Sequence, residues 1–268
     1  MDWLTAPFAT EPQQVAFLSG LIAAVALSIV GTWVVIRGMS FFGDALAHGV
    51  IPGIALALLF GFSPFLGAGV AALVMIAGIN YVHRQAAFSE DTGIGLLFVG
   101  MLAIGVIVAG EGDAEALTEV LFGDLSDIGA SHLWILSSVA LVIVAVSSVL
   151  YRPLLGLAFN EVKAQTLNLR PRLTHLLLLT MITAAVVASF PTIGTLLVFG
   201  LLVGPPATAA LLVRKVPAMM VLAAVIGVAS VIVGLTIAHH AGVDASATVA
   251  LIPIVAFFVV LAIRARQE

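Results

Sequence analysis

Apolar segments near residues 15–36, 40–60, 64–82, 92–110, 132–150, 172–190, 193–213, 217–238 and 247–264 fill this chain almost end to end. Each approaches the roughly 20 residues that a helix needs to cross the hydrocarbon core of a bilayer. The short alternating segments of a transmembrane β-barrel are not present. The sequence therefore predicts an all-α polytopic membrane protein, a bundle of about nine helices forming a single transmembrane domain over residues 1–268. The turn at Ser189–Thr192 is tight, and merging or demoting one segment gives eight spans. Composition agrees, since only 9% of residues are charged, against about 25% in a soluble domain.

The basic residues fall on alternate connections: Arg37; Arg84; Arg152, Lys163, Arg170 and Arg172; Arg214 and Lys215; Arg264 and Arg266. The intervening connections carry Glu111, Asp113, Glu115, Glu119, Asp124, Asp127 and Asp244, with no Lys or Arg. Basic loops stay on the cytoplasmic side, which predicts the N-terminus outside and the C-terminus in the cytoplasm. No basic residue precedes Arg37, so the first apolar run reads as a retained span rather than a signal peptide. A net charge of −4 gives no sign of a nucleic-acid partner, and the lack of cysteine rules out disulfides and thiolate metal ligands. Neither Lys163 nor Lys215 belongs to a G-x-x-x-x-G-K-[ST] loop. If ATP drives this protein, the ATPase is another chain.

Within "FFGDALAHGVIPG" an aspartate and a histidine, Asp44 and His48, lie four residues apart in an apolar helix. That spacing puts their Cβ atoms roughly 5–6 Å apart on one face. A carboxylate and an imidazole suit a divalent first-row cation without thiolates. The competing reading makes Asp44 an N-cap for a helix starting near Ala45, with His48 merely packed. Asp44 lies about seven residues past Arg37, roughly 10 Å of helix, and ionisable groups at membrane depth are functional by default. Pro52 follows His48 by four residues and cannot donate to the His48 carbonyl. That frees a carbonyl beside the pair, although Gly49 and Gly53 also suit plain helix packing.

Other features carry weaker signals. His239 and His240, at the outer end of a span, are candidate auxiliary ligands, although such residues are more often interfacial. The acidic connection Glu111–Asp127 can attract cations or dock an external protein, and such loops are usually just solvated. The polar connection within about 151–171 reads as a docking helix for a peripheral protein or as a solvated basic loop. In "PTIGTLLVFGLLVGPPATAALL", Gly194, Pro205 and Pro206 are hinge candidates, and the tandem proline is expected to break or kink the span. Close packing of small residues is the alternative there.

Five stretches together resemble the permease subunits of bacterial zinc/manganese ABC transporters, the metal-ion permease family: "RGMSFFGDALAHGVIPGIALA", "SEDTGIGLLF", "LFGDL", "FNEVKAQTLNL" and "GTLLVFGLLVGPPATA". They run from Arg37 to Ala209 in the family's order, and R-x-M-S-F-x-G-D-A-x-A-H is highly specific. The resemblance implies a multi-pass protein of the bacterial inner membrane, acting as a homodimer with two cytoplasmic ABC ATPase subunits. It also implies an extracytoplasmic metal-binding protein that delivers the ion. It makes the loop from Phe159 to Leu169 the coupling helix, with Phe159, Glu161, Lys163, Ala164 and Leu167 as its contact residues. Two departures stand out there: Asn160 where the family usually has aspartate, and Asn168 where a glycine is usual. Further along, Gly204 and Pro206 replace the commoner apolar residue and alanine.

The expected function is thus the permease of an ATP-driven importer, itself not an enzyme and holding no permanent cofactor. The cargo is Zn2+ or Mn2+, with zinc favoured because His239 and His240 add imidazoles. Asp44 and His48 from each of two protomers make four ligands, the number a tetrahedral zinc site needs. The rival is an ion-gradient-driven transporter or channel acting without an ATPase.

Overall fold

The computed structural model describes residues 11–85, 90–109 and 130–266. The acidic connection Glu111–Asp127 and the "LFGDL" stretch lie outside the described residues. Among the described residues every regular element is a helix: α1 (Glu11–Ile36), α2 (Ser40–Gly49), α3 (Ile51–Phe60), α4 (Pro64–Gln85), α5 (Glu90–Ala109), α6 (Ala130–Val149), α7 (Tyr151–Phe159), α8 (Glu161–Thr166), α9 (Pro171–Leu212), α10 (Val216–Ala241) and α11 (Ala245–Ala265). Seven stretches among them are long and apolar enough to cross a membrane, with α2 and α3 together making one of them and α9 another. Gly93–Gly105 in α5 is a shorter apolar stretch.

Helix α9 has 42 residues, about 63 Å at 1.5 Å per residue and twice a ~30 Å hydrocarbon core. Gly194 divides it. Its backbone sits at φ 71° and ψ 161°, a region that is essentially glycine's alone. The stretches 171–193 and 195–212 are then each about one span long. The tight turn expected at Ser189–Thr192 is instead continuous helix, and the chain redirects two residues later.

Of the break or kink expected at Pro205–Pro206, a break is absent, because Gly194 is the one residue of α9 with non-helical angles. Pro206 has no N–H for the Leu202 carbonyl, four residues back. Helix α1 closes on that carbonyl instead: a Cβ added at Gly31 would collide with it and come within 3.0 Å of Pro206 Cγ. Thr208 Oγ1 donates to the Gly204 carbonyl at 2.9 Å and reaches the Pro253 carbonyl of α11 at 3.4 Å.

Lipid tails are as apolar as leucine, so helices in a bilayer associate through close packing of small residues. Helix α9 is the hub, touching α1, α2, α4, α6, α7, α10 and α11. Gly200 and Gly204 let it approach Ala250 and Pro253 of α11, which is the packing role the sequence left open for these glycines. Gly53 of α3 and Gly67 of α4 meet backbone to backbone. Trp33 is fully buried, and its indole N–H donates to Ser147 Oγ of α6 at 3.0 Å. Gly31→Val is expected to destabilise the bundle by about 1–3 kcal/mol or more through overpacking, read as a lower melting temperature in detergent. An unchanged melting temperature would show that α1 is not seated on the Leu202 carbonyl.

Candidate functional site

Helix α2 starts at Ser40, its N-cap position is Met39, and no side chain caps it. Asp44 is therefore inside the helix, which excludes the capping role. One turn on, His48 Nδ1 lies 3.3 Å from Asp44 Oδ1 and 3.1 Å from the Asp44 carbonyl oxygen. Both oxygens can only accept, so Nδ1 carries the proton. In the neutral ring the lone pair is then on Nε2, the form in which an imidazole binds a metal ion. A carboxylate holding the far nitrogen of a ligand histidine also fixes the ring and raises its basicity. Each side chain of the pair is 27% exposed, open enough for an ion to reach.

The wall opposite comes from α5. The Phe98 ring stands edge-on to His48 at 5.9 Å and to Phe41 at 5.7 Å. Phe98 ends the "SEDTGIGLLF" stretch, yet nothing in its local pattern announced a contact 50 residues back in the chain. Below the pair α2 ends, Val50 is the joint, and α3 resumes with Pro52 in its first turn. A Cβ at Gly105 of α5 would lie 3.3 Å from Pro52, so Pro52 is also a packing surface. A second missed link is Arg37 Nη1, which donates to His175 Nδ1 at 3.2 Å. It ties the corner between α1 and α2 to the first turns of α9.

The other candidate ligands are elsewhere. His239 and His240 occupy the last turn of α10, both exposed, with their rings 5.3 Å apart. His240 Nδ1 is 2.9 Å from the Thr236 carbonyl. Among the described residues no three His, Cys, Asp or Glu side chains are grouped closely enough to hold one metal ion. The Asp44–His48 pair thus supplies two side-chain ligands and no more.

The segment expected to couple to an ATPase is an elbow of two short helices. Asn160 is extended (φ −164°, ψ 105°), and its Oδ1 accepts from the Lys163 N–H at 2.9 Å, capping α8. Asn and Asp cap equally well, so the departure from aspartate at this position preserves the local geometry. Asn168 and Arg170 have left-handed backbones, φ 57° and 47°. Asn tolerates that region better than other side chains do, which accounts for its standing where glycine is usual. Phe159 and Leu167 project outward, 71% and 68% exposed, and Lys163 is exposed too. Ala164 is buried inside the elbow, where a Cβ on Gly156 would sit 3.5 Å from it. It shapes the elbow and has no surface to offer a partner. The Glu161 side chain lies outside the described residues.

With this geometry in view, the chain matches the family described as the ABC 3 transport family over residues 10–264. It is 29% identical over 255 residues to the manganese transport system membrane protein MntC of Listeria monocytogenes, covering 95% of this chain and 91% of that protein. It is 33% identical over 262 residues to the manganese import system permease protein ScaB of Streptococcus parasanguinis, covering 96% and 94%. Its fold is similar to PsaBC from Streptococcus pneumoniae, solved in complex with Fab, with a TM-score of 0.85 at 27% identity over 97% of this chain and 94% of that one.

Proposed function

This chain belongs to the ABC 3 transport family and is a multi-pass membrane permease of a metal-ion ABC importer, a translocation subunit and not an ATPase; from that premise we propose that its cargo is a divalent first-row cation, manganese ahead of zinc, passing Asp44 and His48. The observation that carries this reading is the pair itself, one carboxylate and one imidazole on a membrane helix with the histidine's Nε2 free to ligate. Carboxylate and carbonyl oxygens suit manganese, and the manganese names of the relatives outweigh the lean towards zinc from His239 and His240. Those two are exposed on the last turn of α10.

Two ligands per chain do not complete a cation's shell. A homodimer with the pair from each copy facing a common axis brings four, and water supplies the rest for an octahedral ion. The site needs only moderate affinity, since an ion that enters must also leave. The positive-inside pattern puts the elbow and the C-terminus in the cytoplasm. Phe159 and Leu167 there form the apolar contact for an ATPase, and an external binding protein delivers the ion to the opposite face.

Metal-resolved uptake by the transporter reconstituted with its ATPase tests the cargo. At equal free-metal concentrations Mn2+ uptake is expected to exceed Zn2+ uptake by about tenfold or more, roughly 1.4 kcal/mol of discrimination. Greater Zn2+ uptake reverses the cargo assignment, and uptake that needs an ion gradient but no ATP moves the protein to the rival class. The docking surface has its own check. The chain has no cysteine, so Phe159→Cys or Leu167→Cys provides a unique attachment point. Each is expected to crosslink to the ATPase in a nucleotide-dependent way, and no crosslink in any nucleotide state rejects this elbow as the docking site.

A further inference from the structure

A groove of about 790 Å³ runs between α1, α6 and α10. Val25 and Ile29 of α1 form its floor, Val144 of α6 and Met220 and Val225 of α10 its walls, and Tyr151 lines one end. Along α10 it extends from Pro217 to Ile232. That is about 22 Å of helix at 1.5 Å per residue, longer than the roughly 15 Å of one leaflet of a ~30 Å core. The serines in its lining are already engaged. Ser147 Oγ accepts the Trp33 indole N–H, and Ser148 Oγ donates to the Val144 carbonyl at 2.7 Å. A membrane-facing groove with an apolar lining and its hydroxyls occupied is suited to a hydrocarbon chain.

The end at Tyr151 and Pro217 has a different chemistry. Arg152 follows Tyr151, and Arg214 and Lys215 precede Pro217. All three are exposed, and none forms an ion pair among the described residues. A tyrosine ring is at home at headgroup level, and the three cations adjoin the lining residues Tyr151 and Pro217 in the chain, at the end where a lipid phosphate would lie. We propose that this groove is a binding site for an anionic phospholipid, with one acyl chain along α10 and the phosphate held by Arg152, Arg214 and Lys215.

A second copy of the chain is the less suitable occupant. The Asp44/His48 face is backed by α5, which packs on α2, α3 and α4, whereas the groove walls α6 and α10 pack on α1 and α9. A dimer axis beside Asp44 and His48 leaves this groove to the lipid. That clause rests on the function proposed above, but lipid labelling is read without any transport measurement, so the two readings fail separately.

The test uses the transporter purified with its ATPase in phosphatidylcholine nanodiscs containing a phosphatidylglycerol with a photoreactive diazirine in mid-chain. Labelling is expected to concentrate on peptides from 137–151 and 216–232, and unlabelled phosphatidylglycerol should compete while added phosphatidylcholine does not. Each basic residue near a membrane surface favours anionic lipid by roughly fivefold. The triple variant Arg152→Gln/Arg214→Gln/Lys215→Gln should therefore lose at least about tenfold of the phosphatidylglycerol preference at an unchanged melting temperature. Arg264→Gln/Arg266→Gln, which removes two cations at the C-terminal end of α11 instead, should leave it intact. Ala224→Trp should block labelling of the groove with the cations still present. Even labelling around the bundle, equal competition by both lipids, or full preference in the triple variant overturns the proposal. So does a Val221→Cys/Val225→Cys disulfide dimer forming in membranes, which would make the occupant a second copy.

Discussion

Asp44→Ala and His48→Ala are each expected to lower metal uptake by the reconstituted transporter roughly 100-fold or more, since even outer-shell partners of a bound metal cost 10–100-fold when removed. The two residues act as a unit. In the proposed site Asp44 Oδ1 faces His48 Nδ1 at 3.3 Å, which in the neutral ring leaves Nε2 for the ion, with the second carboxylate oxygen available beside it. Asp44→Asn separates charge from shape, because an amide oxygen can still accept from Nδ1 but brings no negative charge to a cation. It should fall close to Asp44→Ala if charge matters most, and close to wild type if Asp44 only orients the ring. Both side chains are partly exposed and their loss opens no core cavity, so assembly with the ATPase and the melting temperature should hold. Wild-type uptake by both alanine variants would falsify the site.

The second large effect belongs to Gly194. At φ 71° and ψ 161° any side chain is strained, at a cost of order 1–3 kcal/mol, and Gly194 is itself buried in the hub helix. Gly194→Ala is expected to lower the melting temperature and to reduce transport, with Gly194→Val worse in both. Gly69 and Gly100, where an added Cβ meets nothing within 4 Å, provide contrasting alanine substitutions with much smaller effects. A Gly194→Ala protein as stable as those two would mean that α9 can be joined by an ordinary residue.

These two sites differ in how far they could be read from the chain. Asp44 and His48 were legible because i, i+4 spacing is a local rule and their setting is plainly apolar. What spacing could not reveal was the start of α2 at Ser40, on which the capping alternative turned, or Phe98, which only tertiary packing brings to His48. The run of spans was legible too, since length and hydropathy are local. The joint in α9 was not. Pro191, Pro205 and Pro206 are the conspicuous helix breakers, yet in a membrane bundle neighbouring helices can accommodate the carbonyls they release. Gly194, Gly200 and Gly204 look alike in the sequence, and only the first adopts a positive φ. A glycine permits that angle without demanding it. At the elbow, the pattern pointed to a polar connection but not that Ala164 faces inward while Phe159 and Leu167 face out. Two short helices joined by a cap have too few turns for periodicity to reveal their faces.

The seat of α1 on α9 has an evolutionary consequence. With alanine at position 206 an N–H would be present to meet the Leu202 carbonyl within the helix; with proline that oxygen is left to the neighbour. Residue 31 is therefore held to glycine by the Leu202 backbone first and by the Pro206 ring beside it. A lineage cannot enlarge residue 31 without first moving α1 off α9, so a position early in the chain is fixed by a backbone turn about 170 residues later.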